Sequence, residues 1–400
     1  MGAFGGWLRP PRLRSGADGE TDRHATWLEL FFDLVFVVAV AQLAYVLAGD
    51  VTPTGALRFV ALFVPVWWAW IGSTFYATRF DTDDVEYRLL TAVEMFGVVA
   101  LAVNIPDGFG ASSSGFALAY AGIRGVLVFK YYRAVRHVPE ARPLTTRFAR
   151  GFGLAALVWF VSAFVPPPFR FLLWALGLAI DFGTPITAGT LHAELPPHPS
   201  HLPERFGLFT IIVLGEAIIG VVSGIAAQEW TAASVLVGAF GTAIAFCLWW
   251  IYFDDHDGSA VRAAQAEGRI WTYQAWLYLH LPLVVGLTAA GVGVLRVLTG
   301  DLSTPLPAAE RWLLCGSLAL CLVAMGLLHR TTLACAGRRA ARRNGVASRF
   351  GTGALIVAVA AVGAELPAVV LVGLLAIACA AQVGVDLRAR GPDSFPSEAD

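Results

Sequence analysis

Residues 25–44 read ATWLELFFDLVFVVAVAQLA. The run is long and apolar enough to cross a bilayer, because about 20 residues at a rise of about 1.5 Å each span the hydrocarbon core. Two carboxylates, Glu29 and Asp33, nevertheless stand four residues apart at its start, and Gln42 follows further along. Similar runs recur almost end to end. Of 400 residues, 57% are hydrophobic and 14% are charged, and mean hydropathy is +0.66. A soluble domain has about a quarter of its residues charged. The fold class is therefore all-α, a polytopic membrane helix bundle.

Blocks bounded by Pro, Gly or charge give twelve spans: 27–48, 56–77, 87–105, 115–134, 149–165, 169–189, 204–226, 231–252, 271–296, 309–329, 350–364 and 366–386. Cytoplasmic loops collect Lys and Arg. With the N-terminus inside, 23 of the 28 basic residues fall on the cytoplasmic side. Arg58, Arg170, Arg296 and Arg311 fall outside, and Arg124 lies within a span. Both termini are expected on the cytoplasmic side. Residues 1–26 lack the apolar core of a signal peptide and read as a mobile basic cytoplasmic tail. Residues 27–190 and 191–390 form two six-helix halves, and 391–400 a second tail.

Twelve spans with both ends inside permit two parallel repeats. LVFVVAVAQLA (34–44) aligns with LFTIIVLGEAI (208–218), which sets Gln42 over Glu216. FDTDD (80–84) aligns with FDDHD (253–257), and EMFGVVALAV (94–103) with HLPLVVGLTA (280–289). The basic exits at Lys130 and Arg330 also match, whereas Asp181 falls near Ala378 and Arg124 near Ala324.

A charge at mid-membrane costs about 2.5–3.5 kcal/mol on insertion scales, so each is a functional candidate. Six ionisable residues stand at depth: Asp33, Glu94, Arg124, Asp181, Glu216 and His280. They come from different spans at similar depth and are read as one polar cluster. Arg124 stays charged at every pH and needs a carboxylate, with Asp181, Glu94 and Glu216 as candidates. One reading is an ion pair that fixes helix packing. The other is a substrate or ion pathway, since one arginine cannot neutralise four acids. Pro185 and Pro282 free the carbonyls of Asp181 and Tyr278, as broken transporter helices do. Gly220 and Gly224 form a GxxxG pair, which favours close helix approach.

Loop chemistry is weaker. LHAELPPHPSHLPER (191–205) holds His192, His198 and His201, but at irregular spacing that matches no metal site. No metal and no cofactor are expected there or at DDHD (254–257). Cys247, Cys315, Cys321, Cys335 and Cys379 include no CxxC and read as buried apolar residues. Phosphate-loop, nucleophile-elbow and zincin motifs are absent. The expected partners are the lipid bilayer and a small-molecule or ion substrate, with homo-oligomers open and nucleic acid excluded.

WLELFFDLVFVVAVAQL (27–43) together with HLPERFGLFTIIVLGEAII (201–219) resembles the bacterial low temperature requirement protein A (LtrA) family, over essentially the whole chain. The match carries Glu29, Phe32, Asp33, His201, Glu204, Arg205, Gly207 and Glu216 as the family's motif positions. Phe206 departs from it where histidine is expected, which counts against metal there. The resemblance implies a multi-pass inner-membrane protein associated with growth at low temperature, and it brings no mechanism. The leading functional reading is a transporter or permease-like protein, with protons as the candidate coupling ion. Arg124, Asp181 and Glu216 would form its centre, and Glu94 and His280 would relay protons from Asp33. An intramembrane enzyme acting on a lipid and a non-catalytic scaffold for cold or stress adaptation are the alternatives.

Overall fold

A computed structural model describes residues 9–13, 25–81, 84–189, 191, 195, 198, 200–227, 230–254, 270–336 and 341–390. Twelve α-helices follow in chain order: α1 (Trp27–Gly49), α2 (Pro53–Arg79), α3 (Val85–Asn104), α4 (Ser113–His137), α5 (Arg142–Ser162), α6 (Phe169–Ile186), α7 (His201–Ala226), α8 (Ala232–Phe253), α9 (Ile270–Leu298), α10 (Ala308–Ala336), α11 (Ala341–Val362) and α12 (Ala368–Arg390). Among the described residues, nine helices are long and apolar enough to cross a membrane. The other three, α3, α4 and α5, are the ones loaded with Glu94, Arg124, Lys130 and further arginines. The chain is a multi-pass helical membrane protein.

Every expected span has a helix, and the differences lie at the ends. The two short spans are full helices, because α5 and α11 begin at Arg142 and Ala341, well before their apolar runs. Arginine is a good helix former, so the helix continues through turns that hydropathy excludes. Conversely, α6 ends at Ile186. Pro185 therefore sits in its last turn, where it ends the helix and does not break it. Pro65 and Pro282 lie inside continuous helices.

The chain divides into two compact units. The first comprises Met1–Val46 and Arg58–Leu208, the second Leu47–Leu57 and Phe209–Asp400. In the first, α3, α4, α5 and α6 pack in chain order. Its interior is α2, buried at every residue from Pro65 to Phe80. An aromatic cluster that includes Tyr76, Phe80, Tyr87, Tyr131, Phe148 and Phe152 closes around the end of α2. The basic tail is not wholly loose there. Arg12 and Leu13 pair antiparallel with Asp81 and Phe80, and the Arg9 amide donates to Asp84 Oδ2 at 3.2 Å.

The same order of neighbours recurs in the second unit, where α9 to α12 pack consecutively and α12 also lies against α8. The GxxxG pair sits on α7 where a side chain has no room. A Cβ at Gly220 would stand 3.2 Å from the Gly291 carbonyl, and one at Gly224 would stand 2.6 Å from Leu298 Cβ. Cys247, Cys315, Cys321 and Cys379 are buried free thiols, and the Cys335 side chain lies outside the described residues.

Candidate functional site

The two family-like motifs meet in the first unit. HLPER forms the first turns of α7, so His201 and Arg205 share one face, as Glu29 and Asp33 do on α1. His201 Nε2 lies 3.1 Å from Glu29 Oε2. Arg205 Nη2 donates to Asp33 Oδ1 at 2.5 Å, and its Nη1 lies 3.7 Å from Glu29 Oε1. Trp70 Nε1 donates to the same Asp33 oxygen at 2.8 Å. Phe206 packs edge-on to Trp70 with centroids 5.0 Å apart, so this position steadies the Asp33 donor through an apolar contact. Phe32 and Gly207 are buried beside them.

Glu29 is buried at the start of α1. Only 6% of it is exposed. It closes a capping box at the start of α1, accepting from the Thr26 amide at 2.8 Å while Thr26 Oγ1 accepts from the Glu29 amide at 3.3 Å. Glu204 accepts from the Ala25 amide at 3.1 Å. Both motif acids thus tie the chain entry to α1, and Asp33 carries the deeper charge.

The two remaining candidate acids of this unit, Asp181 and Glu94, are each matched by a base of their own. Arg124 Nη2 donates to Asp181 Oδ1, and Tyr120 Oη donates to Asp181 Oδ2 at 2.7 Å. Lys130 Nζ meets Glu94 Oε2 at 2.6 Å, and Ser73 Oγ donates to the other oxygen of Glu94. Deeper bases than the sequence count suggested make this possible. The sequence count sets Lys130 and Arg205 at the cytoplasmic side, yet only 2% and 1% of their side chains are exposed. The expected single cluster therefore resolves, within this unit, into three ion pairs: Asp33–Arg205, Glu94–Lys130 and Asp181–Arg124.

All three pairs border one short stretch of α2, WWAWIGS (67–73). Trp70 bonds Asp33 and Ser73 bonds Glu94. A Cβ at Gly72 would stand 2.5 Å from Arg124 Nη1, so glycine there leaves room for the guanidinium. Trp68 stacks on Phe182, the neighbour of Asp181, at 3.8 Å. Sequence reading passed over this stretch because it is apolar. Three tryptophans within four residues, about one helical turn, were the signal available.

The second unit holds Glu216 and His280. Glu216 Oε2 is buried without a hydrogen-bond partner among the described residues. His280 Nδ1 lies 2.8 Å from the Trp276 carbonyl, and Nε2 lies 3.0 Å from Tyr252 Oη. A carbonyl only accepts, so Nδ1 carries the hydrogen, and in the neutral ring Nε2 accepts from Tyr252. Thr210 in turn bonds the Tyr252 hydroxyl. This chain of groups borders a cavity lined by Tyr252, Trp276, His280, His329, Thr332 and Arg349 among others. Arg349 Nη2 is held by Asp386 Oδ2 at 3.0 Å, and Gln382 Nε2 donates to Asp386 Oδ1 at 3.0 Å.

Of the loop histidines, the His198 amide donates to the Thr78 carbonyl at 3.2 Å. His192, Glu194 and residues 255–257 lie outside the described residues. Among those described, no group of three or more His, Cys, Asp or Glu is placed to hold a metal ion.

Residues 24–383 match the family model of the bacterial low temperature requirement A protein (LtrA). The chain is also 29% identical to the uncharacterized protein RA0937 of Rhizobium meliloti (strain 1021) over 279 residues, 67% of this chain and 68% of that one. The matched region runs from the ELFFD helix through the HLPER helix to α12, so the interlocking motifs and both units lie within it. The chain belongs to the bacterial low temperature requirement A family.

Proposed function

We propose that this protein is a proton-coupled transporter of the bacterial inner membrane, with both termini in the cytoplasm. One observation carries the reading: the Thr210–Tyr252–His280 chain along the wall of a polar cavity. Polar chains of this kind inside membrane bundles mark ion and proton pathways. A proton added at His280 Nε2 turns that atom from acceptor to donor. The Tyr252 hydroxyl then reorients, so each proton event rearranges the cavity wall. The cavity suits water or a small ion.

The paired acids of the first unit favour a second reading, a rigid scaffold that supports growth at low temperature. One assay separates the two. Purified protein in liposomes under an imposed pH gradient is screened for solute-dependent proton movement. The transporter reading expects His280→Gln and Tyr252→Phe to insert normally and lose that movement. Equal rates in wild type, His280→Gln and empty liposomes would leave the scaffold. In a deletion strain, His280→Gln is then expected to fail to restore growth in the cold.

A further inference from the structure

The interior of the first unit carries hydrogen-bond donors that the ion pairs do not use. Arg124 spends Nη2 on Asp181, while its Nε and Nη1 are buried without a partner among the described residues. Tyr131 Oη, two turns further along α4, is buried and equally uncommitted. The two face the same aromatic wall. The Arg124 guanidinium lies 4.4 Å from the Phe152 ring, and the Tyr131 ring centroid lies 5.9 Å from that of Phe152 and 5.4 Å from that of Phe148. Arg79 approaches Phe148 from α2 at 5.9 Å, while its Nε donates to the Leu195 carbonyl at 3.0 Å.

An orphaned buried donor is costly and calls for an explanation. Here the orphans are donors from a cation and a phenol two turns apart on α4, both packed against Phe152. We infer that α2, α4 and α5 form a site for a small anion, held by Arg124 Nε and Nη1 and by the Tyr131 hydroxyl. Gly72 keeps the α2 side clear for Arg124 Nη1, because a Cβ there would stand 2.5 Å from that atom. The inference uses the first unit alone, so it stands or falls independently of the proton path proposed in the second.

The test is equilibrium binding to the full-length chain in nanodiscs. Thermal unfolding is followed against chloride, nitrate, acetate or phosphate, with sodium gluconate keeping ionic strength constant. At least one of the four probes is expected to raise the melting temperature saturably in wild type. Tyr131→Phe keeps the ring packing, removes one donor and is expected to weaken apparent affinity at least about tenfold. Gly72→Ala is expected to weaken it as well, while Tyr120→Phe, which removes a hydroxyl bonded to Asp181, keeps the tighter value. Two results would overturn the site: no saturable effect of any probe, or a Tyr131→Phe protein that is more stable under every condition with unchanged affinity. The second result would make the hydroxyl a simple packing defect.

Discussion

Asp33 and Arg205 show what a charge inside the bilayer demands. Asp33 is fully buried and takes Arg205 and Trp70 on the same oxygen. Removing one member of a buried pair strands the other, at a cost of about 3–5 kcal/mol. Asp33→Asn is therefore expected to lower stability by about that amount in detergent, read by denaturant or thermal unfolding. Adding Arg205→Met to Asp33→Leu removes both charges and is expected to recover most of the loss, because an apolar pair of similar volume is often neutral. If the double variant is as unstable as either single, the pair is not the coupling between α1 and α7. At the helix start, Thr26→Ala removes one arm of the capping box and is expected to cost about 1 kcal/mol. Glu29 was legible as a motif acid, but its burial was not, because the His201 that covers it is 172 residues away in sequence.

At the scale of elements, helices approach where small residues permit. A Cβ at Gly291 would lie 2.7 Å from Ala217 Cα, and backbone cannot step aside as a flexible side chain can. Gly291→Val is expected to destabilise by about 1–3 kcal/mol through overpacking. Gly215→Ala is the control on the opposing helix, since nothing lies within 4 Å of its added Cβ. It is expected to be neutral or to stabilise by about 0.4–1 kcal/mol through the unfolded chain. Unfolding of the two variants side by side distinguishes close approach from a general dislike of change in α7 and α9. The sequence made the GxxxG pair visible and left its partner hidden, because periodicity marks a face without naming what covers it. The same limit explains Lys130. Hydropathy placed it at a cytoplasmic exit, whereas α3 packs against α4 and offers Glu94 and Thr91 to its ammonium.

For the whole molecule, helix count and helix order were legible because apolar length is set by bilayer thickness alone. The site was only partly legible, since partners are fixed by packing between distant helices. Orientation rests on the Lys and Arg asymmetry, yet several of the residues counted are committed to internal pairs: Lys130 with Glu94, Arg133 with Asp84, Arg205 with Asp33 and Arg349 with Asp386. Leaving those four out reduces the excess without reversing it, because the opposite side holds only Arg58, Arg170, Arg296 and Arg311. Two of these also act locally. Arg170 donates to the carbonyls of Ser162, Ala163 and Val165 at the end of α5, and Arg311 donates to the Ala360 carbonyl in α11. The orientation thus makes a direct prediction. Glu140, between α4 and α5, and Ala111, between α3 and α4, are both exposed and should face opposite sides of the membrane. With Cys335 replaced by serine, the four remaining described thiols are buried and leave a low labelling background. A membrane-impermeant maleimide on intact spheroplasts is expected to label Ala111→Cys and to reach Glu140→Cys only after permeabilisation. The reverse pattern would invert the chain in the membrane and place the ELFFD–HLPER contact on its outer face.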